Sequence, residues 1–263
     1  MSDALFAALL KYWRGRRGLS QLDLATEADV SARHVSFLET GRARPSEEMV
    51  LLLAAVLAIP LRDQNRLLGA AGFSPRYADG DAVPPSVERA LERMMAQHEP
   101  YPLMVLSASY DIVRSNRGAQ ALFSRLLDGR TPAALNPFHL VFDPEQLRPF
   151  VVGWERLART MLARLQRETL QRDPDRRLGA LLARVLAYPG VERAWLRPDV
   201  SAPLPPTLTL ELQRGDLSLS FLGTVTVFSA PQEVALEELR IESFFPLDAR
   251  TAAACEQMIE PPL

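Results

Sequence analysis

The sequence predicts two domains: an all-α domain of five short helices, then an α+β domain built on an antiparallel sheet. Three observations carry this expectation. Residues 3–73 break into five short segments of helical periodicity, each bounded by a capping residue, a Gly or a Pro. Residues 74–86, SPRYADGDAVPPS, have the Pro-, Gly- and Asp-rich composition of a linker. Farther on, TLTLELQRGDLSLSFLGTVTVF alternates with period 2 on both sides of Arg214-Gly215-Asp216, which predicts a hairpin. A chain of 263 residues is long enough for two hydrophobic cores.

Each element has its own justification. Leu5, Leu9, Tyr12 and Trp13 are spaced for one face of a first helix, which Gly18 ends. Ser20 is placed to cap QLDLATEA, with Asp23 as its partner three residues on, and Leu22, Leu24 and Ala25 turned inward. Ser31 caps ARHVSFLET, which Gly41 stops; Ser46 opens EEMVLLLAAVLA; LRDQNRLLGAAG closes at Gly72. Beyond the linker, VERALERMMAQH is a short helix, LMVL and IVRS are strands, and Asn116 caps the helix after them. WERLARTMLARLQRETL and RRLGALLARVLAYPG follow as amphipathic helices. The hairpin strands are Leu208–Gln213 and Leu217–Phe228, LRIESFFP adds another strand, and LDARTAAACEQMI a final helix. The expected domains are therefore 1–75 and 98–263, joined by a linker and connecting helix over 76–97.

Composition removes several function classes. Net charge is -2, so there is no global basic excess of the kind that marks many nucleic-acid binders. Any contact with DNA must come from local clusters such as Lys11, Arg14, Arg16 and Arg17. The single Cys255, in an amphipathic segment, excludes an internal disulfide and reads as a packed thiol. No signal-peptide pattern opens the chain and no apolar run has membrane-spanning length, which points to a cytoplasmic protein without a membrane partner. The three histidines, His34, His98 and His139, fit no metal or triad spacing. Neither a phosphate-binding glycine loop nor another cofactor motif is present, so an enzyme is not expected.

The segment SARHVSFLETGRARPS, from Ser31 to Ser46, carries the most specific signal. A capped helix, a short turn at Asp29-Val30 and a second capped helix are the parts that set a recognition helix into a major groove. Val35 and Leu38 are spaced to pack, leaving Ala32, Arg33, Ser36 and Phe37 outward. SQLDLATEADVSARHVSFLETGRARPS resembles the phage-repressor-type (XRE, lambda-repressor-like) helix-turn-helix, over residues 5–70. The resemblance implies a double-stranded DNA operator as partner. It implies that Gln21 and Ser31 lie at helix starts near phosphate, and that Ala32, Arg33 and Phe37 reach bases with His34 and Ser36 beside them. Arg42 and Arg44 would hold the backbone, and Arg14 and Glu39 would form a buried ion pair. Phe37 either meets a thymine methyl or packs.

VLSASYDIVRSNRGAQALF resembles the opening of a PAS domain. GWERLARTMLARL, YPGVERAW and TVTVFSAPQEVALEELRIESFFPLDARTA resemble the MmyB-like ligand-binding domain, with Gly153 standing where that family has asparagine. The match covers about residues 98–254 and implies control of transcription by a small apolar effector such as a fatty acid, in a homodimer. Candidate lining residues are Met104, Leu106, Phe123, Phe138, Trp154, Met161, Trp195, Phe221 and Phe228, with Asn116, Arg148, Thr224 and Thr226 as polar groups. An apolar stripe is equally what a filled core requires, so a domain serving only dimerisation is the alternative.

Overall fold

Capped segments become the helices of the first part of the chain: α1 (Ser2–Arg16), α2 (Gln21–Glu27), α3 (Ala32–Glu39), α4 (Glu47–Val56) and α5 (Leu61–Ala71). In this computed structural model, residues 2–78, 83–130, 132, 134–171, 176–196, 207–229 and 231–259 are described. Ser20, Ser31 and Ser46 each accept a backbone N–H three residues on, from Asp23, His34 and Met49, at 3.1, 3.1 and 3.2 Å. Asp23 completes the capping box by accepting the Ser20 N–H at 2.8 Å. These bonds satisfy orphan donors that would otherwise fray helices only two to three turns long.

Phe6, Leu10 and Trp13 of α1 pack with Leu24, Val35, Leu38, Leu53 and Leu67 into one apolar core. The face differs from the expected one, since Leu5 and Tyr12 are exposed. Apolar residues surround α1 on most sides, and its phase follows the bulk of Trp13, which is fully buried. Leu22 is also exposed rather than inward, because only Leu24 and Ala25 of α2 reach the core.

The rest of the chain forms α6 (Pro85–His98), β1 (Leu103–Leu106), β2 (Ile112–Ser115), α7 (Arg117–Leu126), α8 (Pro137–Phe142), α9 (Trp154–Gln171), α10 (Arg176–Leu186), β3 (Leu208–Arg214), β4 (Leu217–Thr226), α11 (Val234–Glu238), β5 (Arg240–Pro246) and α12 (Ala249–Ile259). The five strands make one antiparallel sheet in the order β2-β1-β5-β4-β3. Gly215, with φ at 56°, supplies the left-handed residue of the two-residue turn between β3 and β4. β4 stops at Thr226, two residues short of the expected Phe228. The short helix α8 was not expected; Asn136 caps it by accepting the Phe138 N–H at 3.0 Å, and Pro137 opens it.

Contacts divide the chain into two units, Met1–Val83 with Phe228–Glu237, and Pro84–Val227 with Glu238–Leu263. This moves the expected boundaries. Asn65 of α5 accepts the N–H groups of Arg76 and Tyr77 at 3.0 and 3.1 Å and donates to the Tyr77 carbonyl at 2.8 Å. Those residues therefore belong with the helices, while residues 79–82 of the expected linker lie outside the described residues. The segment 228–237 also joins the first unit. Ala78 bridges to Glu233, Val234 is fully buried, and Glu237 accepts the Leu61 N–H at 2.8 Å. Pro60, at the N-cap of α5, has no side chain able to do this, so a distant carboxylate takes the place of a local cap.

Asn116 organises the start of the sheet unit. Its side-chain oxygen accepts N–H groups of Leu103 at 2.9 Å and Ala119 at 3.0 Å, and its amide donates to the Tyr101 carbonyl at 2.8 Å. The Glu99 carboxylate accepts from Arg117 and Gly118 at the same helix start. A side chain at Gly118 would meet the Pro100 carbonyl oxygen at 2.3 Å, so only glycine allows α7 this close. Replacing Asn116 by Ala leaves buried backbone donors unmatched. We expect Asn116→Ala to lower stability by roughly 1–3 kcal/mol, read as the urea midpoint of the full chain, with an unchanged slope.

Candidate functional site

In the first unit, Glu39 at the end of α3 is the point where three helices meet. Arg14 of α1 donates to both its oxygens, at 2.6 and 2.9 Å, and Gln21 of α2 donates to one at 2.7 Å. A further Arg14 nitrogen donates to the Leu19 carbonyl at 2.7 Å. Burial opposes ionisation of Glu39, but the hydrogen bonds from Arg14 and Gln21, with the arginine charge, outweigh it and hold the carboxyl below its ordinary value. The Gln21 amide group thus sits in this network. Asp29 makes the turn between α2 and α3 with φ at 52°, a conformation Asp tolerates better than most residues.

The basic cluster expected to meet DNA is largely committed elsewhere. Arg17 donates to the carbonyls of Leu57 and Ala58 at 2.6 and 2.5 Å. Arg16 bonds the Tyr12 hydroxyl and lies over the Tyr12 and Trp13 rings. On α3, Ser31 and Arg33 are exposed, while Ala32, His34, Ser36 and Phe37 are half-buried. The Arg33 guanidinium lies over the Phe37 ring at 5.1 Å, so Phe37 supports the arginine. Arg42 and Arg44 are exposed just beyond Gly41, whose φ of 69° turns the chain out of α3.

In the second unit a cavity of about 530 Å³ lies between the sheet and the helices α7, α8 and α9. Its sheet wall is Leu208, Leu210 and Leu212 of β3, Gly223, Thr224 and Val225 of β4, Glu242 and Phe244 of β5, and Met104 of β1. Opposite them stand Leu122 and Phe123 of α7, Phe138, Leu140 and Val141 of α8, and Leu157, Met161 and Arg164 of α9. Of the expected lining residues, Met104, Phe123, Phe138, Met161 and Thr224 are in place.

The others lie elsewhere, for separate reasons. Leu106 and Phe221 are fully buried in the packed core. Asn116 is consumed by the bonds at the start of α7. Trp154 donates its indole N–H to the Val141 carbonyl at 2.7 Å and packs edge-on to Phe142, and Trp195 lies beside it at 5.9 Å. Arg148 lies over Trp154 at 3.6 Å and bonds the carbonyls of Phe142 and Pro189. Thr226 is exposed at the end of β4, and Phe228 belongs to the first unit. Gly153, before Trp154, has φ at 64°, a left-handed conformation that favours glycine.

Sequence reasoning missed the cavity's charged end. Glu168 of α9 accepts the Tyr110 hydroxyl at 2.7 Å, the Arg164 Nε at 3.2 Å and an Arg240 nitrogen at 2.7 Å. Glu242 faces Arg164 at 3.8 Å and is buried. Its burial raises its pKa, with Arg164 and Arg240 opposing. The signal was there: Arg240 and Glu242 recur with period 2 in a strand whose other residues are apolar except Ser243, and Arg164 and Glu168 share one face of α9. Cys255 is buried, and its thiol is pushed up to about 11, which keeps it protonated and unreactive. Among the described residues no group of three His, Cys, Asp or Glu side chains could hold a metal, and no helix is long and apolar enough to cross a membrane.

A capped helix pair that presents α3 and an α+β unit around an apolar cavity coincide with two family models, which together describe a DNA-binding transcription regulator with a ligand-binding C-terminal domain. Residues 87–258 match the model of the MmyB-like transcription regulator ligand binding domain, and residues 10–64 match a helix-turn-helix model. The chain belongs to the MmyB-like family. Both matched families are regulatory rather than enzymatic. No curated protein matches the chain.

The Glu39 network makes two testable statements. Arg14→Ala leaves a buried carboxylate without its main partner, and should cost roughly 3–5 kcal/mol in urea unfolding. Because the folded pKa of Glu39 is depressed, its contribution is present above its unfolded value of about 4.3 and is lost as pH falls through the folded value. The acid limb of the wild-type stability curve should therefore be steeper than that of Glu39→Gln.

Proposed function

We propose that this chain is a homodimeric, sequence-specific regulator whose operator affinity responds to a long-chain monocarboxylic acid held in the α+β unit. The observation that carries the reading is the cavity: about 530 Å³ of mostly apolar wall, with Arg164 at one end. That volume falls within the roughly 300–1,000 Å³ typical of small-molecule sites. An apolar wall with Arg164 and Glu242 grouped at one polar end suits an amphiphile with an acidic, hydrogen-bonding head. Regulation follows from linkage: the acid changes DNA affinity only to the extent that it binds the two states of the protein differently.

On the DNA side, we assign base contacts to Ala32, Arg33 and Phe37 and backbone contacts to Ser31, Arg42 and Arg44, with His34 and Ser36 flanking. Arg33 is the one long exposed cation on the outer face of α3, and the ring of Phe37 holds it in place. Gln21 contributes chiefly by fixing α3 through Glu39. Two subunits related by a twofold axis would read two half-sites about one helical turn apart.

Arg33→Ala should weaken specific binding by roughly 1–3 kcal/mol and relax sequence preference, whereas Arg42→Ala should weaken all sequences alike and flatten the salt dependence. Electrophoretic titrations on fragments selected from genomic DNA separate the two; wild-type behaviour in both variants would sink the groove assignment. For the ligand, native mass spectrometry of the purified full chain should show a co-purifying acid, and dodecanoate should raise the melting temperature. Met161→Trp, which fills the cavity, should abolish that shift. Loss of every such signal would leave a dimerisation module instead.

A further inference from the structure

We infer that the acid enters the cavity together with one proton, which resides on Glu242, so that Glu242 sets the ligand's head group. This rests on the proposed ligand class and goes beyond it by assigning a residue and a proton to the head-group site.

The geometry of the charged end supplies the argument. Glu168 is fully engaged, with three donors on its two oxygens. Glu242, which lines the cavity, has no such set: its closest cation is Arg164 at 3.8 Å, beyond hydrogen-bond length. Across the sheet it stands opposite Met104 on β1 and Val225 on β4, neither of which carries charge. The titratable and charged groups around it are Arg164 and Glu168 from α9, Arg240 from its own strand, and Tyr110 from the β1–β2 connection. The cluster also has donor capacity to spare. Arg240 is 92% buried by its side chain's 8% exposure, and one of its guanidinium nitrogens has no hydrogen-bond partner among the described residues.

Charge decides the outcome. Two arginines and two ionised glutamates balance, so a carboxylate arriving at Arg164 leaves one buried negative charge uncompensated, which is costly. A proton taken from solvent by Glu242 removes that excess. It also converts Glu242 from a repelling neighbour into a donor, giving an O–H···O⁻ bond to the incoming carboxylate, a strong charge-assisted type. No covalent bond forms or breaks apart from this proton transfer. Burial already raises the Glu242 pKa, which favours placing the proton there. A fatty alcohol brings no charge and needs no proton.

The test is calorimetric titration of the full-length protein between pH 6 and 9 with dodecanoate, below its micellar concentration, and with dodecanol. A ligand carboxyl titrates well below this range, near about 4 to 5. For wild type, dodecanoate affinity should fall with rising pH, approaching tenfold per unit where binding takes up a full proton. Dodecanol affinity should stay flat. Glu242→Gln, which keeps the donor without the charge, should bind dodecanoate with the same affinity at every pH. Should that variant fail to fold, wild type titrated in buffers of different ionisation enthalpy still counts the protons, and the expected uptake approaches one at high pH. A flat wild-type profile with tight dodecanoate binding and no proton uptake overturns the role of Glu242 but leaves the acid as ligand. If neither dodecanoate nor dodecanol binds, the ligand reading itself fails.

Discussion

A polar group taken out of water must find its partners inside the protein, and three side chains meeting that constraint organise both units. Glu39 gathers donors from α1 and α2 onto the end of α3, Asn116 joins β1 to α7, and Glu168 collects Tyr110, Arg164 and Arg240 beside the cavity. In each case apolar packing supplies most of the burial, but the hydrogen-bonded hub chooses one arrangement among several that would bury similar area. The position of α3, and so of the surface it offers to DNA, is inherited from Glu39. The width of the cavity is inherited in part from Glu168, which draws α9 toward β5 by way of Arg240.

Local chemistry was the readable part of the sequence. Ser20 with Asp23, Ser31 and Ser46 act within a few residues of themselves, so their caps could be placed without knowing the fold. The hairpin at Gly215 was legible for the same reason. The phase of α1 was not, because Leu5 and Tyr12 are as apolar as the residues that won, and only tertiary packing around Trp13 separates them. The cavity was harder still. Hydrophobicity marks a residue as wanting to be covered, not whether a neighbour or a ligand will cover it. Phe221 found a neighbour and Phe138 borders open space, yet nothing in their local sequence differs in kind.

The charged end of the cavity repeats that lesson from the other side. Two arginines and two glutamates, from one face of α9 and one strand, meet there although Arg164 and Arg240 lie far apart in sequence. A period-2 pair of charges in a strand reads as solvent-facing until the sheet is assembled and that face proves to be the inner one. Placing charge there costs folding energy that aliphatic side chains would not. Arg164 and Glu242 thus give an otherwise apolar cavity one polar end.

The crossing of segment 228–237 into the first unit has a practical consequence. No single cut in the chain separates the two units. A fragment ending at Val83 would expose the surface that buries Val234 and would leave the Leu61 N–H without the carboxylate of Glu237. A fragment beginning at Pro84 would carry that same stretch, with Val234, away from the unit it belongs to. The polypeptide is threaded like a stitch, leaving the sheet along β4 and returning along β5. Dissecting this regulator into autonomous halves would therefore damage both of them.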